Sequence, residues 1–199
     1  MPTSYSRSNA WATMWYVAVT VGAIAAAMMI AMPLPAAPSA AVQAPAEVAG
    51  VMPAARLQGS GTLRYFGLAI YEARLWAAPD FAPGRYDAHT FALELRYARK
   101  LNGSAIAERS ITEMRRVGQF DPAQAKAWLE QMTQAFPDVK AGDRLTGVRG
   151  PGGVTRFYSN GQSTLSIADP EFGRLFFGIW LSGKTSEPAL RRELIGPNS

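Results

Sequence analysis

The side chains that most often carry out chemistry are scarce in this sequence. Its 199 residues contain no cysteine and a single histidine, His89. Without cysteine there is no disulfide, no thiolate metal ligand and no cysteine nucleophile. One histidine excludes a multi-histidine metal centre, and the position of His89 between Asp87 and Thr90 is typical of a surface turn. We therefore expect no metal site and no cofactor.

Two other patterns lack a catalytic context. Gly59-Ser60-Gly61 is part of a phosphate-loop pattern, but no Gly-Lys-Ser/Thr follows it, and the next residues are typical of a strand rather than a helix. No serine lies in a G-x-S-x-G nucleophile elbow. Asp143 and Asp169 are expected in a turn and in a helix cap, so their spacing identifies no carboxylate pair.

Arg64 is the candidate of greatest interest, because it lies between Leu63 and Tyr65 in an otherwise apolar strand. If it faces a layer of helices, it is a costly buried charge that needs an anionic partner. The planar guanidinium suits a carboxylate or a phenolate oxygen. The alternative is that Arg64 points to solvent on the outer face, or pairs with Glu94 on the neighbouring strand.

The charge of the chain is mildly positive, with 20 basic and 15 acidic residues and a net charge of +5. The basic residues are scattered singly or in pairs, which is typical of a solvated surface. The alternative is that they serve an anionic ligand or an acidic membrane surface. We expect no nucleic-acid partner.

The N-terminal part of the chain has the features of an export segment. Residues 10–31 contain no charge, Arg7 precedes them, and the next basic residue is Arg56. Such a stretch is long enough to cross a bilayer as a helix, and the charge asymmetry places its N-terminus in the cytoplasm. We expect residues 1–32 to be a signal peptide or a membrane anchor, with the domain periplasmic, either free after cleavage or tethered to the inner membrane.

The remaining chain divides into a linker and one folded domain. Residues 33–55 are rich in proline and alanine and show no apolar period, so they are predicted to be a spacer. Residues 56–199 are then the folded domain. Strands are predicted at 62–77 (or two strands with a bend near Gly67), 91–97, 144–149, 154–158 and 163–167.

Four helices are predicted from capping residues and apolar spacing. Ser104, Asp121, Asp169 and Ser186 are the expected N-caps, and proline follows the last three within two residues. Strands that are grouped between pairs of helices indicate an α+β fold. We expect an antiparallel sheet covered on one face by helices.

Several segments in this order resemble the chalcone isomerase-like superfamily, and most of all its exported bacterial members. They are, in chain order, GSGTLRYFGLAIYEARLWA, FALELRY, DRLTGV, RFYSNG and ADPEFGRLFFGIWLS. The resemblance implies an open-faced β-sandwich. It also implies that Arg64 corresponds to the arginine that holds a phenolate in the plant enzymes and a carboxylate in fatty-acid-binding members.

The same resemblance places Ile106 and Glu113 where the plant enzymes carry a tyrosine and an asparagine, and Thr185, Ser186 or Glu187 at the polar rim. Isoleucine cannot polarise a ketone, and a glutamate opposes a phenolate. Cyclisation of a chalcone is therefore not expected.

Three functions remain open at this stage. The first is binding of a small amphipathic acid, such as a fatty acid, with Arg64 as anchor, Tyr71 and Tyr97 as hydrogen-bond donors, and Phe91, Leu93 and Leu95 along an apolar cleft. The second is an isomerase or lyase acting on an enone or phenolic substrate, with Arg64 as its catalytic, electrophilic clamp. The third is an envelope interaction protein in which Arg64 is structural.

Overall fold

The computed structural model describes residues 42–196. The predicted leader, residues 1–32, lies outside the described residues. Within residues 42–196, no helix combines the length and the hydropathy needed to cross a bilayer.

The described chain folds around one six-stranded sheet in which every strand pairs with the next in antiparallel orientation. The strands are β1 (Arg56–Tyr65), β2 (Leu68–Ala77), β3 (Phe91–Tyr97), β4 (Arg144–Arg149), β5 (Thr155–Ser159) and β6 (Gln162–Ile167). The predicted α+β class with an antiparallel sheet is confirmed.

The long apolar stretch that begins at Thr62 is part of two strands joined by a two-residue turn. Phe66 and Gly67 form this turn, and both have positive φ angles of 47° and 78°. The same backbone recurs between β5 and β6 at Asn160 (φ 49°) and Gly161 (φ 85°). Two-residue hairpin turns need this backbone, because its twist matches that of the paired strands. The turn predicted at Asn160-Gly161 is confirmed.

The described fold also contains five α-helices, besides two short 3₁₀ helices at Pro83–Ala88 and Pro151–Gly153. The α-helices are α1 (Ala46–Ala49), α2 (Gly103–Val117), α3 (Pro122–Ala135), α4 (Pro170–Leu181) and α5 (Pro188–Ile195). The Asp121 and Asp169 side chains accept backbone N–H groups at the starts of α3 and α4, as predicted. The predicted cap Ser104 is wrong, because α2 starts two residues earlier than that cap implies and Asn102 caps it. Ser186 caps nothing either, since Glu187 precedes α5 without a side-chain cap bond.

The Gly-Ser-Gly pattern of β1 allows a helix to lie directly on the strand. A Cβ atom at Gly59 would be 2.2 Å from the Glu193 carbonyl oxygen, and one at Gly61 would be 2.7 Å from the Leu190 side chain. Both contacts are far too short, so α5 can approach the sheet only because these positions lack side chains. The role of the glycines here is packing.

Part of the predicted linker belongs to the folded domain. Val48 of α1 and Met52 are buried against Trp76, Ala92 and Val148 on the face of the sheet opposite α2 to α5. The expectation that residues 33–55 form only a spacer is therefore wrong for this part. The segment contributes only two large apolar side chains, Val48 and Met52. They are buried because the outer face of the sheet presents an apolar patch that they cover.

An ionic cluster on the same outer face joins this segment to β3 and β4. Arg144 donates to Glu47 at 2.8 Å, and its Nε lies 3.8 Å from Oε1 of Glu94. Trp76 Nε1 donates to Glu94 at 2.8 Å, and the Thr146 hydroxyl donates to Glu47 at 3.1 Å. Both carboxylates are almost fully buried, so Arg144 compensates two charges that water cannot reach.

Arg149, five residues further along β4, faces the helices. It is 7% exposed, and no side chain or carbonyl of residues 42–196 accepts a hydrogen bond from it. Burial lowers the pKa of its guanidinium. A buried guanidinium without an acceptor costs free energy, because its hydration is lost and not replaced.

These two arginines predict opposite responses to the same substitution. Arg144→Met leaves Glu47 and Glu94 buried without their cation, and should lower the free energy of unfolding by roughly 3–5 kcal/mol. Arg149→Met removes a buried guanidinium that has no hydrogen-bond acceptor within residues 42–196, and should leave stability unchanged or raised. Urea unfolding of both variants measures this. An equal loss for Arg149→Met would contradict the assignment.

Candidate functional site

A cavity of about 290 Å³ lies between the inner face of the sheet and the helices α2 and α4. Most of its wall is aliphatic or aromatic. The apolar lining consists of Leu63, Ile70, Leu93, Leu95, Leu101, Ala105, Ile106, Phe136, Leu145, Phe157, Phe176 and Ile179. The polar or charged residues of the lining are Tyr71, Tyr97, Asn102, Arg109, Ser110, Glu113, Thr146, Trp180, Ser186 and Glu187.

Two tyrosines stand side by side in this cavity. The antiparallel register pairs Tyr71 of β2 with Tyr97 of β3, and their rings lie 5.8 Å apart, edge to face. Trp180 Nε1 donates to the Tyr71 hydroxyl at 3.0 Å. Neither tyrosine hydroxyl donates its own proton to any group of residues 42–196. Two O–H donors are therefore available to a ligand.

Burial keeps both phenols in the protonated, donating form. It raises the pKa of Tyr71 well above its usual range, against the opposing effect of the Trp180 hydrogen bond. Burial also raises the pKa of Tyr97, with a further contribution from Tyr71. The cause is that a phenolate loses its hydration in an apolar wall. Both groups are hydrogen-bond donors throughout the neutral pH range.

The charges of the cavity gather at one end. Arg109 Nη2 lies 2.7 Å from Oε1 of Glu113, and Arg116 Nε lies 3.2 Å from Oε2 of the same carboxylate. The Glu113 side chain is only 6% exposed, whereas that of Arg109 is 68% exposed. Glu113, Glu187 and Arg109 all influence the pKa of Tyr71, so this hydroxyl belongs to the charged end. Arg109 is the one cationic side chain among the lining residues described.

Arg64 does not lie where the sequence predicts it. Its side chain is exposed, donates to the Gly67 carbonyl at 3.3 Å, and is absent from the cavity lining. The physical reason is the alternation of side chains along β1: Leu63 points into the cavity, so its neighbour Arg64 points to the opposite face of the strand. The isomerase hypothesis therefore lacks the clamp on which it depends.

The other proposed ligand contacts do come together. Tyr71, Tyr97, Leu93 and Leu95 all line the cavity. Phe91, which was expected in the same row, packs instead against Phe177 at a ring distance of 4.8 Å. Whether the four lining residues bind a ligand stays a prediction.

The residues that the family resemblance selected have mixed positions. Ile106, Glu113, Ser186 and Glu187 line the cavity. Thr185 does not, because its hydroxyl donates to the Ile179 carbonyl and so closes the end of α4.

His89 is half-buried in the loop that precedes β3, and its ring packs 5.7 Å from that of Phe81. The interpretation as a turn histidine is consistent with this position.

Sequence reasoning missed Arg109 as a site residue. Its spacing holds the signal: Arg109 follows Ile106 by three positions and precedes Glu113 by four, so the three share a helix face. Which face of α2 meets the sheet is decided by packing against residues distant in the chain, so the spacing alone does not show that Arg109 lies at the cavity.

The family is decided by the match to the chalcone isomerase-like profile, which spans residues 37–196. The chain belongs to the chalcone isomerase-like family. Among solved structures, a fatty-acid-binding protein from Arabidopsis thaliana shares the fold with a TM-score of 0.56 and 14% identity, over 71% of this chain and 87% of that one. No curated protein matches the sequence significantly. The resemblance read from the sequence is thus confirmed at the level of family and fold.

The two cavity tyrosines predict how the stability of this chalcone isomerase-like domain depends on pH. Their pKa is raised in the folded state, so the stability they contribute is present below about pH 10, where the unfolded chain is also protonated. It is lost as the pH rises further, at up to about 1.4 kcal/mol per pH unit for each phenol.

Urea unfolding of the parent chain and of Tyr71→Phe/Tyr97→Phe, between pH 9 and pH 12, tests this. The doubly substituted chain should lose stability with the shallower slope. Equal slopes would mean that these phenols ionise as readily in the folded chain as in the unfolded one.

Proposed function

We propose that this domain binds a small amphipathic acid of the fatty-acid type in the cavity between the sheet and α2 and α4. The observation that carries the proposal is the polarity of the cavity. Its wall is apolar over most of its area, while one end combines the Arg109 guanidinium with the Tyr71 hydroxyl, and Tyr97 stands beside Tyr71. An amphipathic acid has the same division into one polar and one apolar part.

The apolar wall accounts for the chain of the ligand. Leucine side chains from β3 line one part of the cavity, and the rings of Phe136, Phe157 and Phe176 line another. The volume of about 290 Å³ lies near the lower end of the range of small-molecule sites, roughly 300–1,000 Å³. Each methylene that moves from water into such a wall contributes about 0.8 kcal/mol.

Arg109 accounts for the acid group. Glu113 is paired with two arginines, so Arg109 can turn to a ligand carboxylate while Arg116 continues to neutralise Glu113. The exposure of Arg109 leaves it free to reorient. Tyr71 and Tyr97 then supply neutral hydrogen bonds to the carboxylate oxygens, which replace part of the lost hydration.

Glu187 opposes the same ligand. Glu187 lies in the lining and acts on Tyr71 at the charged end, and no side chain among the described residues forms an ion pair with it. A bound anion is repelled by this charge at short range. Glu187 thus lowers the affinity of the cavity for acids below the value that its hydrogen-bond donors alone would give.

Membership of the chalcone isomerase-like family and the fold shared with the Arabidopsis fatty-acid-binding protein support this choice of ligand class. At 14% identity the fold is what is shared, so the assignment rests on the cavity of this chain. The leader predicted for residues 1–32 would place the domain in the periplasm, a proposal that rests on the sequence alone.

Calorimetric titration with dodecanoic acid and with dodecanol tests the proposal, because the two probes share a chain and differ in charge. Arg109→Gln should weaken the acid at least about tenfold, since a charge-assisted contact contributes roughly 1.5–3 kcal/mol. Glu187→Gln should strengthen the acid. Neither substitution should change the affinity for the alcohol by more than about twofold.

Two further variants separate the cavity from the rest of the surface. Ala105→Trp fills the cavity from α2 and should abolish binding of both probes, whereas Ala127→Trp, at an exposed position of α3 outside the lining, should not. Binding that survives Ala105→Trp would overturn the proposal. An affinity for dodecanoic acid that is the same in the parent chain and in Arg109→Gln would also overturn it.

A further inference from the structure

The β1–β2 hairpin ends in an exposed apolar tip. Among residues 42–196, four large hydrophobic side chains are exposed, and three of them belong to this turn: Tyr65 (66%), Phe66 (89%) and Leu68 (56%). Together with Gly67 they form what we call the hairpin tip. Such a concentration on one protruding turn is unusual for a surface that meets only water.

The requirements of folding do not explain Phe66. It occupies a left-handed backbone conformation, which bulky residues rarely adopt, and its ring is almost fully exposed. The β5–β6 hairpin solves the same geometric problem with Asn160, the residue type such turns prefer. An aromatic ring at position 66 therefore costs stability and gains no burial in the folded domain.

Basic side chains lie next to the tip, on β1 and on the loop after β3. Arg64 donates to the Gly67 carbonyl, which holds its charge beside the tip. The loop after β3 is fixed to the start of β2 by the bond from Ala98 N to the Ile70 carbonyl at 2.9 Å, and it carries the exposed Arg99 and Lys100. In the next loop, Lys140 is already paired with Asp143 at 3.2 Å.

The size of the tip distinguishes between two kinds of partner. Three side chains offer at most roughly 500 Å², whereas a stable protein interface needs about 800 Å² from each partner. A bilayer requires no such complementary area. Aromatic and aliphatic side chains that enter the interface, with basic residues at headgroup level, suit an anionic lipid surface.

We propose that the hairpin tip docks the domain on an anionic membrane surface. Phe66 and Leu68 enter the boundary between headgroups and acyl chains, and Arg64, Arg99 and Lys100 contact lipid phosphates. Leu63 and Ile70, which flank the tip, line the cavity, so the docked domain presents the end of its cavity to the bilayer. The docking stands on the exposed tip and its charges, and does not require the proposed ligand.

The absence of cysteine makes the test specific. Leu68→Cys in the full chain carries one environment-sensitive fluorophore at the tip, and Ala88→Cys carries it at an exposed position near the opposite end of the sheet. Both are mixed with vesicles of phosphatidylcholine, with or without phosphatidylglycerol, that contain acyl-brominated lipid as quencher. The label at position 68 should be quenched in anionic vesicles and that at position 88 should not, even where the predicted N-terminal segment tethers the chain.

Two substitutions then separate the apolar and the basic contributions. Phe66→Asn introduces the residue type preferred in such turns, so the domain should stay folded. The substitution should weaken docking at least about tenfold. Arg99→Gln/Lys100→Gln should reduce docking in anionic vesicles by roughly fivefold or more, and should leave neutral vesicles unaffected.

Equal quenching at positions 68 and 88 would overturn the proposal. So would a spectral shift of the label at position 68 that needs no lipid and grows with protein concentration, because it would assign the tip to self-association. Loss of dodecanoic acid binding by Arg109→Gln, with docking intact, would concern the cavity alone. The two proposals can therefore fail separately.

Discussion

The register of β2 against β3 determines what each face of this sheet can do. With Tyr71 opposite Tyr97, alternate residues of both strands point toward the helices, and Trp76 and Glu94 point to the other side. A shift of one residue would exchange these sets and place Glu94 in the apolar core. The paired phenols inside and the ionic cluster outside are consequences of the same hydrogen-bond ladder.

The cavity persists because its charged end cannot be closed at low cost. Glu113 is buried, and it is tolerated there because two arginines reach it from α2. Arg109 must stay hydrated along most of its length, so the helix surface around it remains open to solvent. Elsewhere in the lining, the rings of Phe136, Phe157 and Phe176 pack against one another and form an apolar wall. Electrostatics and packing together give the cavity a charged end and an apolar wall.

The arginines of this fold differ in burial and in whether a carboxylate neutralises them. Arg144 compensates two buried carboxylates, Arg109 shares one with Arg116, and Arg149 is buried without an acceptor in the described chain. Arg64 lies in water beside an apolar turn. The sequence predicts the Arg64 guanidinium of β1 at the cavity, but the guanidinium found there is that of Arg109 from α2.

Features that depend on neighbouring residues were predictable from the sequence. The alternation of Phe91–Tyr97, the caps Asp121 and Asp169 and the Asn160-Gly161 turn follow from side-chain period and backbone preference, which act within a few residues. These features, with the ordered segments of the family, were sufficient for the fold class and for four cavity residues.

The tertiary structure alone decided the rest. The face of β1 that meets the helices put Leu63 inside and Arg64 outside, the rotation of α2 placed Arg109 at the cavity, and Val48 packed on the outer face of the sheet. Each of these outcomes depends on contacts between segments distant in the chain. Which of the alternative arrangements has the lowest free energy depends on the packing of the whole core. A local sequence pattern therefore does not determine it.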